Sequence, residues 1–144
     1  MSLEEMILRN ELERLEPSPG EIDRLLGAIA RRLEDASKHT IHPETRLEQA
    51  YHAILNCARV ALRANNLRPV NGPGKHFYAL ESLLHTLGVE QKRIDYYQEL
   101  RDLRNKDIYE GSIHVSEREV EEAIEEAVWL QEQLHALLAQ RRRA

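Results

Sequence analysis

Residues 44–67 read ETRLEQAYHAILNCARVALRANNL, and this stretch decides the fold. Leu47, Tyr51, Ile54, Ala58, Ala61 or Leu62, and Asn65 recur three or four residues apart, the spacing of one face of an α-helix. Ala50, Ala53, Cys57, Ala58, Ala61 and Ala64 add small side chains that let neighbouring helices approach closely. Arg46, Arg59 and Arg63 are expected to face elsewhere. A helix of this length with so many small residues belongs in the middle of a helical bundle.

Working outward, breakers divide the rest of the chain. Helices are predicted over residues 3–16, stopping before Pro17, and from 18 to about 38, where Thr40-Ile41-His42-Pro43 intervenes. Ser18, Pro19 and Glu21 read as a capping box opening the second of these, with Pro19 at the first helical position. After residue 67 comes Arg68-Pro69-Val70-Asn71-Gly72-Pro73-Gly74, the richest turn-forming run in the chain. A short fourth helix over 75–87 then ends at Gly88, a left-handed cap. A fifth spans 90–109 and stops near Gly111. Ser116-Glu117-Arg118-Glu119 is a second capping box, and the last helix carries Val120, Ile124, Ala127, Leu130 and Leu134 at core spacing. Strand-like alternation is absent from the sequence. The expectation is an all-α antiparallel bundle of about five to six helices, one domain over 1–144, with a core of 44–138 and two further N-terminal helices within 1–40.

Composition narrows the function classes. The 144 residues carry a formal net charge of -5, with 42% hydrophobic and 31% charged residues and a mean hydropathy of -0.59. A general nucleic-acid coat is excluded, because phosphate neutralisation needs a basic body; any such contact must come from a local basic patch. Cys57 is the sole cysteine, which fits a reducing compartment. The acidic start Met1-Ser2-Leu3-Glu4-Glu5-Met6 has no signal-peptide pattern, and no run approaches the roughly 18 apolar residues of a membrane span, so a cytoplasmic location and no membrane contact are expected.

One segment does not suit a bland bundle. At about 100° per residue, the fifth helix gathers Ile94, Tyr96, Tyr97, Leu100, Leu103 and Ile108 on one side. Arg101, Arg104 and Asp107 fall in that same arc, with Asn105 and Tyr109 on its border. An arginine among apolar neighbours is costly unless paired. Either Arg104 pairs internally, with Asp107 or a carboxylate of another helix, or the arc lines a cleft in which a guanidinium fork grips phosphate.

Leu103-Arg104-Asn105-Lys106-Asp107-Ile108-Tyr109-Glu110 resembles the Arg-Asn signature of HEPN domains. Tyr51-His52-Ala53-Ile54-Leu55-Asn56-Cys57-Ala58-Arg59 is similar to the aromatic-led helix those domains carry, and the Gly/Pro loop with a short helix near His76 matches their layout. The likeness covers about residues 44–138. It implies an all-α homodimer with Arg-Asn clusters facing a shared groove, a nucleotide or RNA ligand, and in some members a small nucleotidyltransferase partner or a metal-independent ribonuclease of toxin–antitoxin type. In the nuclease members a histidine follows the arginine after four to six residues; here that place is held by Tyr109. With an ordinary pKa near 10, tyrosine is a poor general base at neutral pH, whereas histidine near 6.5 suits both proton transfers of RNA cleavage. The reading therefore favours binding through Arg104, Asn105, Tyr109, Arg101, Lys75 and His76 over catalysis, for which Arg104 and Tyr109 are the candidates. A metal-independent endoribonuclease and a non-catalytic scaffold are the alternatives.

Other features carry less. His39 and His42 lack further metal ligands, and no Cys-x-x-Cys or His-Glu-x-x-His occurs, so neither metal nor cofactor is expected. His76 either receives phosphate with Lys75 or belongs to a capping turn. Residues 71–76 lack P-loop spacing. Cys57 is expected to be a buried inert thiol, Trp129 core or interface material, and Arg141-Arg142-Arg143 a solvated tail.

Overall fold

Helix α3 (Pro43–Arg63) runs through the centre of the computed structural model, which describes residues 2–111 and 114–143, without the side chain of Arg143. Pro43 sits in its first turn, where the missing N–H costs nothing. The face read from the sequence is buried, and so are the flanks: Ala50, Tyr51, Ala53, Ile54, Cys57, Ala58, Val60, Ala61 and Leu62 are all fully enclosed. Helix α2 (Glu21–Ala36) packs against it through Ile29, Leu33 and Ala36. Helix α7 (Glu117–Arg143) covers another side with Val120, Ala123, Ala127, Leu130 and Leu134, spaced three or four apart. Each such leucine contributes roughly 1.5–3 kcal/mol on burial, and the alanines let the helices come near enough to gain it.

The remaining helices are α1 (Leu3–Leu8), α4 (Lys75–Glu81), α5 (Leu83–Thr86) and α6 (Gln91–Glu110). The protein is an all-α bundle, as its periodicity predicts. Among the described residues no helix is long and apolar enough to cross a membrane.

Four local expectations need correction. The first helix ends at Leu8 rather than near residue 16, because Asn10 adopts φ +63°, a left-handed conformation that asparagine tolerates. The chain then forms β1 (Leu12–Arg14), which pairs antiparallel with β2 (Leu67–Pro69), Glu13 opposite Arg68. Asn66, at φ +58°, likewise ends the α3 segment and turns the chain into β2. Second, the fourth helix is broken at Ser82 into α4 and α5. Third, the Ser18 backbone and hydroxyl both donate to Glu21 Oε1, yet α2 starts two residues past Pro19, behind Gly20 at φ +76°. The Ser116 box forms in full: Glu119 N donates to Ser116 Oγ while Ser116 N donates back to Glu119 Oε1. Fourth, Arg141 is no free tail, because its guanidinium donates to Ala64 O and Asn65 Oδ1 past the end of α3.

Arg46 and Arg63, expected to face elsewhere, are buried at 2% and 6% exposure. Arg46 Nε donates to Ala36 O at 2.8 Å and its Nη1 to Glu117 at 2.7 Å. Arg63 Nε donates to Glu21 Oε2 at 2.6 Å, and its Nη1 to Leu15 O and Leu67 O. These two guanidiniums tie the ends of α3 to α7 and α2. Arg59, between them, is exposed.

Candidate functional site

Helix α6 is anchored by its first half. Ile94, Tyr97 and Leu100 are buried; Tyr97 Oη donates to Glu126 Oε1 at 3.1 Å, and Arg93 pairs with Glu126 while lying 3.7 Å from the centre of the Trp129 ring. Trp129 is thus half-buried beneath a cation. Past Leu100 no described residue of α6 is fully buried, and Ile108 and Tyr109 are 54% and 87% exposed. The apolar arc read from the sequence therefore leaves the core near Leu103. The motif stands where the helix emerges from the bundle.

Arg104 lies against α3. The pairing considered with Asp107 is not found among the described residues, but the one with a carboxylate of another helix is: Nε forms an ion pair with Glu48 Oε1 of α3 at 3.7 Å, longer than a hydrogen bond. Nε itself is buried and makes no hydrogen bond. Tyr51 Oη is also buried without a partner, and its pKa is pushed up to about 12 by burial, with Arg101 and Arg104 pulling the other way. An unsatisfied buried polar group costs about 1–3 kcal/mol, so the guanidinium's own Nε and the Tyr51 hydroxyl, which feels its charge, both need a compensating role. His52, one residue on, sits with its Nε2 3.6 Å from Glu48.

Four of the predicted residues converge on a second feature. Arg101 and Asn105 of α6 face Lys75 and His76 of α4 across a recess of about 210 Å³, whose floor includes Gly72 and Gly74. Gly74 is required there: it holds φ +84°, and a Cβ would lie 3.2 Å from the Tyr78 ring. Arg101 Nε donates to Gln98 Oε1 at 3.0 Å, and its guanidinium lies 5.5 Å from the centre of the Phe77 ring. Its contact with exposed Asp102 is a surface pair of little strength. His76 stands in the first turn of α4, behind the left-handed Gly74 that caps it, so its place also fits the capping-turn alternative. Tyr109, by contrast, is not brought to the recess.

The electrostatics tie these side chains together. His76 is held below the ordinary histidine pKa first by burial and then by Lys75, Arg104, Arg59 and His52. His52 is lowered by burial, then by Arg32 and Arg104, with Glu48 opposing. A chain of net charge -5 thus concentrates positive charge on one face. Sequence reasoning missed Glu48, Tyr51 and His52 as members of this cluster. The signal was present, since Glu48, Tyr51 and His52 share a helical face, but nothing local says that α6 packs there. Among the described residues no three metal-ligating side chains converge. Cys57 is buried, and burial pushes its thiol up to about 12, as suits an inert core thiol.

No known family model, curated protein or solved structure matches this chain.

Proposed function

We propose that this chain is a HEPN-like nucleotide- or RNA-binding domain that acts as a homodimer, in company with a small nucleotidyltransferase in a toxin–antitoxin-like system. The observation that carries the reading is Arg104: a guanidinium at the emerging end of α6, half-buried, with no hydrogen bond at Nε and, among the described residues, a single loose ion pair, to Glu48 at 3.7 Å. A guanidinium left in that state is suited to an anion, above all to phosphate, whose oxygens match its fork. Arg101, Asn105, Lys75 and His76 supply further donors in the adjoining recess. The exposed Ile108 and Tyr109, one turn beyond, fit a helix end covered by a second copy, which would bring two Arg-Asn clusters to one groove.

Titration of single-stranded RNA and of nucleotides against wild type and Arg104→Ala tests this. The expected result is saturable binding weakened about tenfold or more by the substitution; equal affinity in both proteins overturns the reading. Sedimentation of wild type and Ile108→Glu tests the dimer, which the charge is expected to dissociate.

A second reading, metal-independent RNA cleavage, is favoured by one observation. Tyr109 does not line the recess, but His52 Nε2 and Arg104 Nε both lie against Glu48 Oε1, at 3.6 and 3.7 Å. Burial, with Arg104 among the nearby charges, holds His52 below the ordinary histidine pKa, which favours an imidazole that can accept a proton. RNA incubated in chelator with wild type, Arg104→Ala and His52→Gln decides it: cleavage lost in both variants supports catalysis, and none in wild type removes it.

A further inference from the structure

A larger cleft opens on the other side of Lys75 and His76. It encloses about 520 Å³ between α3, β2 and the start of α4, and is lined by Arg59, Arg63, Arg68 and Lys75, with Leu15, Pro69 and Ala79 as apolar wall. Its volume falls within the roughly 300–1,000 Å³ of ligand-binding clefts. The four cations face one lining carboxylate, Glu21, which Arg63 already holds and whose pKa that hydrogen bond lowers. Arg68 gives its Nε to Glu13 at 2.6 Å across the β1–β2 pair, which fixes its guanidinium and leaves both Nη atoms to the cleft side or solvent. Arg59 is exposed, with one hydrogen bond, to the neutral Asn56 side chain. Lys75 is exposed as well. Arg63 and Arg68 are thus each paired with a carboxylate, while among the described residues Arg59 and Lys75 have none, so the cleft keeps an excess of positive charge.

We propose that this cleft is a second anion site, one that takes a phosphate group, held by Arg59, Arg68 and Lys75. Two facts favour phosphate over a carboxylate. Two guanidinium forks and an ammonium around one space offer more donors than a carboxylate's two oxygens can use, whereas phosphate presents three or more. The cleft also shares Lys75 and His76 with the recess of Arg101 and Asn105, so the two spaces meet along one wall. A ligand carrying at least two phosphates can occupy both. That last step rests on the reading under Proposed function; the cleft as a phosphate site does not.

The test uses the full chain and three probes: inorganic phosphate, a nucleoside triphosphate and a short single-stranded RNA. Binding is measured for wild type, Arg59→Ala, Arg59→Glu and Arg104→Ala, with thermal unfolding of each as a control. Arg59 is exposed on a helix, so its substitution is expected to leave the melting temperature unchanged. The proposal expects Arg59→Ala to weaken phosphate-bearing probes about tenfold and Arg59→Glu to abolish binding. Loss with the triphosphate but not with RNA assigns a nucleotide; the reverse assigns a strand; both outcomes uphold the site. Unchanged affinity for all three probes in Arg59→Glu overturns it, even if Arg104→Ala is impaired and the Arg104 reading survives. Conversely, loss in the Arg59 variants with Arg104→Ala unaffected keeps this cleft and removes the Arg104 site.

Discussion

Arg63 and Arg104 carry the same guanidinium on two packed helices, and their surroundings put it to opposite use. Arg63 is 6% exposed and donates to one carboxylate and two backbone carbonyls, so both its Nε and its Nη1 are engaged at the end of α3. Arg104 has a buried Nε with no acceptor and one carboxylate at 3.7 Å. The first is a structural clamp. The second is paired with Glu48 only at 3.7 Å and has no hydrogen bond at Nε, so of the two it is the one with donors left to offer a ligand. The contrast teaches that the two roles differ both in burial and in hydrogen bonding: Arg63 is buried with its acceptors in place, whereas Arg104 is half-buried with its Nε unanswered.

The sharpest way to break this contrast is by stability. Removing Arg63 leaves Glu21 and the carbonyls of Leu15 and Leu67 without their donor. Arg63→Ala is therefore expected to cost on the order of 3 kcal/mol in denaturant unfolding. Arg104→Ala deletes an unsatisfied Nε and should change stability by less than about 1 kcal/mol, while its effect falls on binding. Equal destabilisation by the two substitutions would erase the distinction and leave Arg104 as a second clamp.

A smaller effect concerns pH. His76 in the free protein is held below its ordinary pKa by burial and by Lys75, Arg104, Arg59 and His52. An anion bound among these cations favours the protonated imidazole, so by linkage affinity should rise as pH falls through about 6.5 and below. Measured with a short RNA, whose diesters do not titrate there, the gain from pH 7.5 to 6 is expected to be a few-fold. It should flatten in His76→Gln, whereas a slope unchanged in that variant would transfer the effect to His52.

Much of this was legible in the chain itself. The period of residues 44–67, the Ser116 box, Gly88 and Gly111 at positive φ, and the position of Arg104 on the same side of α6 as Leu100 all follow from local rules. Two short strands were not legible, because three residues cannot display an alternation, and only the asparagines at 10 and 66 hinted at the turns leading into them.

The sequence by itself determined the all-α class, the long helices α3, α6 and α7, and that α6 carries arginines on an apolar side, since periodicity and capping act within a few residues. Only the tertiary structure decided which arginines are neutralised. Arg46 donates to a carboxylate 71 residues away and Arg63 to one 42 residues away, while Arg104 meets Glu48 only as an ion pair at 3.7 Å, without a hydrogen bond. Charge pairing acts through space between side chains remote in the chain, and no local pattern records which of them the packing brings together.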